Sequence, residues 1–186
     1  MNPTIFLIRP GNEMWATHPL ARQLTEKGFQ QASDRKEALE KMLNGELFDI
    51  VFSSPATRAL HTALKISGFE EKDIIVLDAL YMPEDSTDRQ AVETMFAELM
   101  YSPLRLYRKA DEAGALIRYG EKAASLIRAE IQTEKAQNIL VVGHAVLLNT
   151  IASALVGNDT DLILRVMLAE CEGLCIHPNG WVEPLQ

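Results

Sequence analysis

The chain has 186 residues, 47% of them hydrophobic and 24% charged, which is enough apolar material for one globular domain with a sizeable core. Its formal net charge of −8 disfavours general nucleic-acid binding, because proteins that bind nucleic acid usually present a basic face. No apolar run reaches about 18 residues and no secretory signal is visible, so we expect a single cytoplasmic domain over residues 1–186, without a membrane or nucleic-acid partner.

The first predicted element is a buried strand over residues 4–8, which read Thr-Ile-Phe-Leu-Ile. A short apolar run bounded by turn residues is typical of a parallel strand that is buried on both faces. Arg9, Pro10 and Gly11 follow it directly. Open α/β sheets bind ligands at the carboxyl ends of their strands, where a planar guanidinium suits a phosphate or carboxylate. Arg9 is therefore a candidate binding residue, with an ordinary surface arginine as the alternative.

A loop and a helix separate this strand from the next one. Residues 14–22 lack periodicity and are predicted to form a loop over the strand end. Thr25 is predicted to cap a helix that Asn44 and Gly45 end.

A second strand is predicted over residues 48–52, and Ser54 and Pro55 follow it as the N-cap and first residue of a helix. Arg58 then falls in the first turn of that helix. Free backbone N–H groups and the positive end of the helix dipole favour anions there.

The remaining predicted elements again alternate in type. They are a strand over 74–77, a helix capped by Thr87 or Asp88 and broken at Ser102-Pro103, a helix over 110–131, a strand over 139–142 followed by His144, a helix over 147–155, and a last strand near 173–177 with a hairpin turn at Asn179-Gly180. Strands that alternate with helices predict an α/β fold with a largely parallel sheet. The basic and aromatic stretch 100–109 is expected to be a solvated connection, with a lid or an interface as alternatives.

Three side chains follow strand ends: Arg9, Arg58 and His144. Because the carboxyl ends of parallel strands meet at one edge of a sheet, the three are expected to converge on one pocket. Two guanidinium groups supply forked donors for a phosphoryl group, and a histidine adds a third donor when it is protonated.

The two cysteines are Cys171 and Cys175, and if residues 168–177 form one strand, both share a face with His177. A metal site would need more ligands at better spacing than this. Two reduced cysteines and no metal are therefore expected.

Four motifs, in order, resemble those of the histidine phosphatase superfamily, which includes phosphoglycerate mutases and acid phosphatases. They are Leu7–Gly11, similar to the Arg-His-Gly signature; Leu24–Ala32, similar to a helix start; Phe52–Ala63, similar to the Ser-Pro-x-x-Arg-Ala motif; and Val141–His144, similar to the strand with the second histidine. Residues 77–81 and 155–157 resemble the small bacterial phosphohistidine phosphatase branch.

The resemblance implies a three-layer α/β/α fold of the phosphoglycerate mutase type and a hydrolase-like phosphate pocket. Arg9, Arg58 and His144 would form this pocket, with His144 as the second histidine. The ligand would be a phosphate-bearing small molecule or a phosphoprotein, and no cofactor is implied.

One residue departs from the family pattern, since the nucleophilic histidine position holds Pro10. Proline has no side-chain nucleophile, so a covalent step cannot run through it. The family's acidic residue is also unclear here, with Glu84 and Asp85 as the nearby candidates. The chain is therefore predicted to be an inactive or impaired member, a pseudophosphatase. The alternatives are an active phosphatase with a relocated nucleophile, for which His18 and His61 are candidates, and a scaffold that uses its surface.

Overall fold

The computed structural model describes residues 2–186, and their strands form one six-stranded mixed sheet. The strands are β1 (Thr4–Ile8), β2 (Ile50–Ser53), β3 (Ile75–Val76), β4 (Asn138–Val142), β5 (Gly173–Ile176) and β6 (Val182–Leu185). The α-helices are α1 (Glu26–Met42), α2 (Thr57–Ser67), α3 (Ser86–Leu99), α4 (Leu104–Ala110), α5 (Ala115–Glu134), α6 (Ala145–Val156) and α7 (Asp161–Arg165).

The strand order across the sheet is β3-β2-β4-β1-β5-β6. The first four strands in the chain are mutually parallel, whereas β5 pairs antiparallel with β1 and β6 pairs antiparallel with β5. The prediction of an α/β fold with a mostly parallel sheet is confirmed. A hairpin does join the last two strands, as Asn179 and Gly180 predict.

Helices cover both faces of the sheet, because the apolar side chains of β1 alternate between two cores. Ile5 and Leu7 face a core built with residues of α3 to α7, whereas Phe6 and Ile8 face a core built with α1 and α2. The structure therefore has the three layers that the resemblance implies. No helix within residues 2–186 is both long enough and apolar enough to cross a bilayer.

Two predicted caps are wrong. Helix α2 begins at Thr57 after Ala56, so Ser54 precedes the helix, although its hydroxyl still accepts a hydrogen bond from the Ala56 N–H at 3.2 Å. Helix α3 is capped by Asp85, whose carboxylate accepts from two backbone N–H groups in the first turn. Asp85 competes successfully because its side chain reaches both donors at 2.9 and 3.0 Å.

The stretch 100–109 is not a solvated connection. It contains α4, whose Leu104 and Tyr107 side chains are fully buried in the core. Helix α4 ends at Ala110 and α5 begins at Ala115, so the predicted helix over 110–131 starts five residues later than expected. The left-handed backbone of Gly114 separates the two helices.

The loop after β1 is fixed by contact between two glycines. A Cβ added to Gly28 would lie 2.2 Å from the Asn12 carbonyl oxygen, and one added to Gly11 would lie 2.6 Å from the Gly28 carbonyl oxygen. The Thr25 N–H also donates to the Asn12 carbonyl at 2.9 Å. These contacts hold residues 9–12 against the start of α1.

Candidate functional site

The strands β1, β4 and β2 end side by side and bring three residues to one edge of the sheet. Ile8 pairs with Val142 at the end of the parallel register, so Pro10 and His144 follow two neighbouring strands at the same edge of the sheet. The Gly143 N–H donates to the Ile8 carbonyl at 3.1 Å, and the Ser54 N–H donates to the Val142 carbonyl at 2.9 Å. Pro10, Ser54 and His144 thus all follow strands at the edge where an open α/β sheet places its ligands.

The His144 ring is held by both of its nitrogens. Nδ1 lies 3.2 Å from an Arg58 Nη atom and Nε2 lies 2.8 Å from Ser54 Oγ, while the Tyr81 ring packs edge-on at 5.3 Å between centroids. A guanidinium can only donate, so Nδ1 accepts and Nε2 carries the proton that it donates to Ser54.

Burial, followed by the charges of Arg58 and Arg9, lowers the pKa of His144 to about 3. The ring is therefore neutral near pH 7. In this arrangement it does not supply the cationic third donor considered from the sequence.

Every nitrogen of the Arg58 guanidinium has a partner. In addition to His144, it contacts the Glu13 carboxylate at 2.5 Å and donates to the Pro19 carbonyl at 2.7 Å. The same carboxylate binds Arg22 at 2.7 Å. Burial lowers the pKa of Arg58 and the charge of Glu13 opposes this, so Arg58 stays a cation paired with one carboxylate.

Arg9 is engaged on one side only. Its Nη1 donates to the Leu168 carbonyl at 2.7 Å and to the Tyr101 hydroxyl at 2.9 Å, and its guanidinium lies 5.0 Å from the centre of the Tyr101 ring. The Tyr101 hydroxyl also donates to the Leu168 carbonyl. Among residues 2–186, no group accepts a hydrogen bond from Arg9 Nε or Nη2. The structure thus brings Arg58 into contact with His144 and leaves Arg9 beside them, with donors available.

The two alternative histidines lie outside this network. His18 is exposed on the loop just before Pro19. His61 stacks on Phe29 of α1 with ring centroids 5.8 Å apart, and its buried Nδ1 finds no hydrogen-bond partner in the part of the chain that the structure describes. Neither histidine makes a hydrogen bond to Arg58 or His144 there.

The two candidate acids also face elsewhere. Glu84 pairs with Lys122 of α5 at 2.5 Å, and Asp85 is occupied as the cap of α3. The residue that follows β3 and reaches the site is Tyr81, through its edge-on contact with His144.

A cavity of about 200 Å³ lies beside His144. Its walls are mostly apolar and come from the ends of α3, α4 and α6 and from the segment before β5. They are formed by Phe96, Met100, Tyr101, Ser102, Leu104, Tyr107, His144, Ala145, Val146, Leu147, Asn149, Val166, Met167 and Leu168.

Sequence reasoning missed four residues of this site. Ser54 belongs to the motif that contains Arg58, but the sequence analysis predicts it to be a helix cap. Glu13 lies so close to Arg9 in the sequence that an ion pair with a basic residue of the pocket could have been predicted. Tyr81 and Tyr101 carry no local signal. Tyr101 meets Arg9 across 92 positions of sequence, through the packing of α3 and α4.

Comparison with known proteins identifies the family to which the fold belongs. Residues 5–182 match the family described as histidine phosphatase superfamily (branch 1). No curated protein sequence matches the chain.

Three solved structures share the fold over nearly the whole chain. The protein histidine phosphatase SixA complexed with tungstate has a TM-score of 0.65 at 16% identity, with 97% of this chain and 93% of that chain covered. A phosphoserine phosphatase mutant from Entamoeba histolytica, with a histidine replaced by alanine, was solved in complex with phosphoserine. It has a TM-score of 0.64 at 19% identity, with 99% of this chain and 95% of that chain covered. The alpha-ribazole phosphatase from Shigella flexneri has a TM-score of 0.63 at 17% identity, with 98% of this chain and 94% of that chain covered. At these identities the likeness concerns the fold alone.

Proposed function

Because the chain belongs to the histidine phosphatase superfamily, we propose that it is a non-catalytic member that binds a phosphate-bearing ligand between Arg9, Arg58 and His144. The observation that carries this proposal is the position of Pro10. It follows β1 at the edge of the sheet where His144 follows the paired strand β4, in the place where the family signature has the attacking histidine. A proline ring offers no lone pair for attack on phosphorus.

The hydrogen bonds of the site argue against Ser54 as a replacement nucleophile. A serine is activated when the neighbouring histidine nitrogen is unprotonated and accepts the hydroxyl proton. Here the contact between Arg58 and Nδ1 places the ring proton on Nε2, which donates to Ser54 instead. Among the described residues, the His18 and His61 side chains form no hydrogen bond to Arg58 or His144, so a relocated nucleophile finds no support.

The remaining donors support anion binding without chemistry. Arg9 keeps two of its nitrogens available, and Arg9, Arg22 and Arg58 together outnumber the one carboxylate of Glu13. Two relatives of this fold hold tetrahedral or phosphorylated ligands, since one is complexed with tungstate and one with phosphoserine after loss of a histidine. The second case shows that a protein of this fold can hold a phosphorylated compound without one of its histidines.

The apolar cavity beside His144 favours a ligand with an apolar group next to its phosphate. A cavity of roughly 150 Å³ with apolar walls is enough to hold benzene. The volume of about 200 Å³ here therefore suits one aromatic ring. We expect phenylphosphonate, which resists hydrolysis, to bind more tightly than inorganic phosphate.

Isothermal titration calorimetry at fixed ionic strength tests the proposal. The parent, Arg9→Ala and Arg58→Ala are titrated with phosphate and with phenylphosphonate. Arg165→Ala is the matched control, because Arg165 is exposed and, within residues 2–186, forms an ion pair only with Asp161 on the same short helix. The parent and the control should bind, and both pocket variants should bind at least about tenfold more weakly, since a charge-assisted bond is worth about 1.5–3 kcal/mol.

Turnover is measured in parallel on p-nitrophenyl phosphate. Equal affinities in all four proteins would mean that the binding is a general salt effect, and they would overturn the proposal of a phosphate pocket. Reproducible turnover by the parent would overturn the non-catalytic assignment, whichever residue carries it.

A further inference from the structure

The hairpin formed by β5 and β6 brings a sulfur, a nitrogen and an oxygen ligand together. Cys175 pairs with Glu183 in the antiparallel register, and His177 lies two residues beyond Cys175, on the same face. One ligand atom of each residue lies within 4.8 Å of the other two. In a tetrahedral site with bonds of about 2.0–2.3 Å, neighbouring ligand atoms lie about 3.3–3.8 Å apart. Side-chain adjustments of about 1 Å would bring these three to that spacing.

The backbone and a stacked ring hold His177 in position. Its N–H donates to the Trp181 carbonyl at 2.8 Å, and its own carbonyl accepts from the Gly180 N–H at 2.8 Å. The Trp181 ring stacks on the imidazole with centroids 5.9 Å apart, and Nε2 lies 2.9 Å from the Glu183 carboxylate. The imidazole and the carboxylate therefore already face each other above Cys175.

The three residues differ in exposure in a way that suits entry of a cation. The side chains of His177 and Glu183 are each 34% exposed, whereas Cys175 is fully buried beneath them. Burial, followed by the charge of Glu183, raises the pKa of Cys175 to about 12, so the sulfur carries its proton when no cation is bound. When a cation binds, the S–H bond breaks, a sulfur–metal bond forms and the proton passes to solvent.

We propose that Cys175, His177 and Glu183 form a zinc site with a fourth position open to water. A thiolate, an imidazole and a carboxylate are the three side-chain ligands that Zn²⁺ takes in proteins, whereas Mg²⁺ and Ca²⁺ prefer oxygen alone. The spacing of Cys175 and His177 in the sequence does not predict the site, because the third ligand comes from the next strand.

The zinc site is separate from the phosphate pocket. Because β5 runs antiparallel to β1, Gly173 lies at the pocket edge of the sheet and Ile176 at the opposite edge. In the described sheet, β6 pairs with β5 alone. A zinc ion would therefore join the edge strand to the sheet through side chains as well as through backbone hydrogen bonds.

Cobalt substitution tests the site on reduced, chelator-treated protein from which any affinity tag has been removed. The parent should show thiolate-to-cobalt charge-transfer absorption and the visible bands of tetrahedral Co²⁺, and one equivalent of Zn²⁺ should remove both. Cys175→Ser, His177→Gln and Glu183→Gln should each weaken Co²⁺ binding by more than about tenfold, because loss of a direct ligand costs at least as much as loss of a group behind it.

Cys171→Ser is the matched control. Cys171 is also buried, with a pKa raised to about 12 by burial, but it lies outside the cluster. The control should bind Co²⁺ like the parent. Absence of the charge-transfer band in the parent overturns the proposal, and so does a band that survives in Cys175→Ser. If Cys175→Ser fails to fold, unchanged binding by both His177→Gln and Glu183→Gln overturns it instead.

Discussion

Neutralising Glu13 should strengthen anion binding. Its carboxylate lies 2.5 Å from Arg58 and 2.7 Å from Arg22. The negative charge of Glu13 therefore reduces the positive potential that would attract a phosphate. Glu13→Gln keeps the shape of the side chain and removes the charge. In this variant, an anion bound beside Arg58 no longer lies close to the negative charge of the Glu13 carboxylate.

The size of the gain follows from Coulomb's law. Two unit charges on opposite sides of one guanidinium lie about 6 Å apart, which corresponds to about 2.8 kcal/mol at an effective dielectric constant of about 20. The Glu13 side chain is 32% exposed, so we halve this to about 1.4 kcal/mol for solvent screening. The expected gain in phosphate affinity is about tenfold.

Calorimetric titration with phosphate at constant ionic strength measures this gain. Glu84→Gln is the control, because it makes the same chemical change and the same change in net charge at a carboxylate that pairs with Lys122 instead. Unchanged or weaker binding by Glu13→Gln would refute the reasoning. An equal gain in Glu84→Gln would refute it too, because the effect would then come from net charge alone.

Three further perturbations probe the same edge of the sheet. Pro10→His should become labelled by a small phosphoryl donor in an acid-labile form that the parent never shows, and a folded variant without label would mean that more than the nucleophile is lost. Gly28→Ala should lower the free energy of unfolding by about 3 kcal/mol, because its Cβ would lie 2.2 Å from the Asn12 carbonyl oxygen; an unchanged melting temperature would show that the two backbones can separate. Native His144 has a pKa of about 3 against 6.5 for the free group, so the unfolded chain binds more protons between these pH values. Stability measured by urea unfolding should therefore fall as the pH is lowered through this window, by up to about 1.4 kcal/mol per unit more than in His144→Gln, and equal slopes would contradict it.

The sequence predicts most of the elements because their signals are local. The apolar run 4–8 matches β1, and the run 139–142 lies within β4. Thr25 caps α1 as expected, and its hydroxyl accepts a hydrogen bond from the Gly28 N–H at 3.0 Å. The predicted cap at Ser54 is wrong and the actual cap at Asp85 is not predicted, because several polar residues compete within a few positions. Which of them binds the free N–H groups depends on where the tertiary contacts start the helix.

The partners of the site residues were less predictable than the residues themselves. Motifs identify Arg58 and His144, but the orientation of the imidazole depends on Ser54 and Arg58 meeting it from two sides. The contact of Arg9 with Tyr101 depends on how α3 ends, where Met100 adopts a left-handed backbone. Neither arrangement has a periodic or short-range signature in the chain.

The strand order also determines when the site-bearing strand can be completed during synthesis. Both neighbours of β1 come from the last third of the chain, β4 at 138–142 and β5 at 173–176. At about 5–20 residues per second, a ribosome needs on the order of ten seconds to make the roughly 130 residues between β1 and β4. For that time β1 has two unpaired edges and apolar side chains on both faces, which is the kind of segment that aggregates. Such long-range pairing is slow to form, so β1, which Arg9 and Pro10 follow, is the first of the described strands to be synthesised and among the last to be paired.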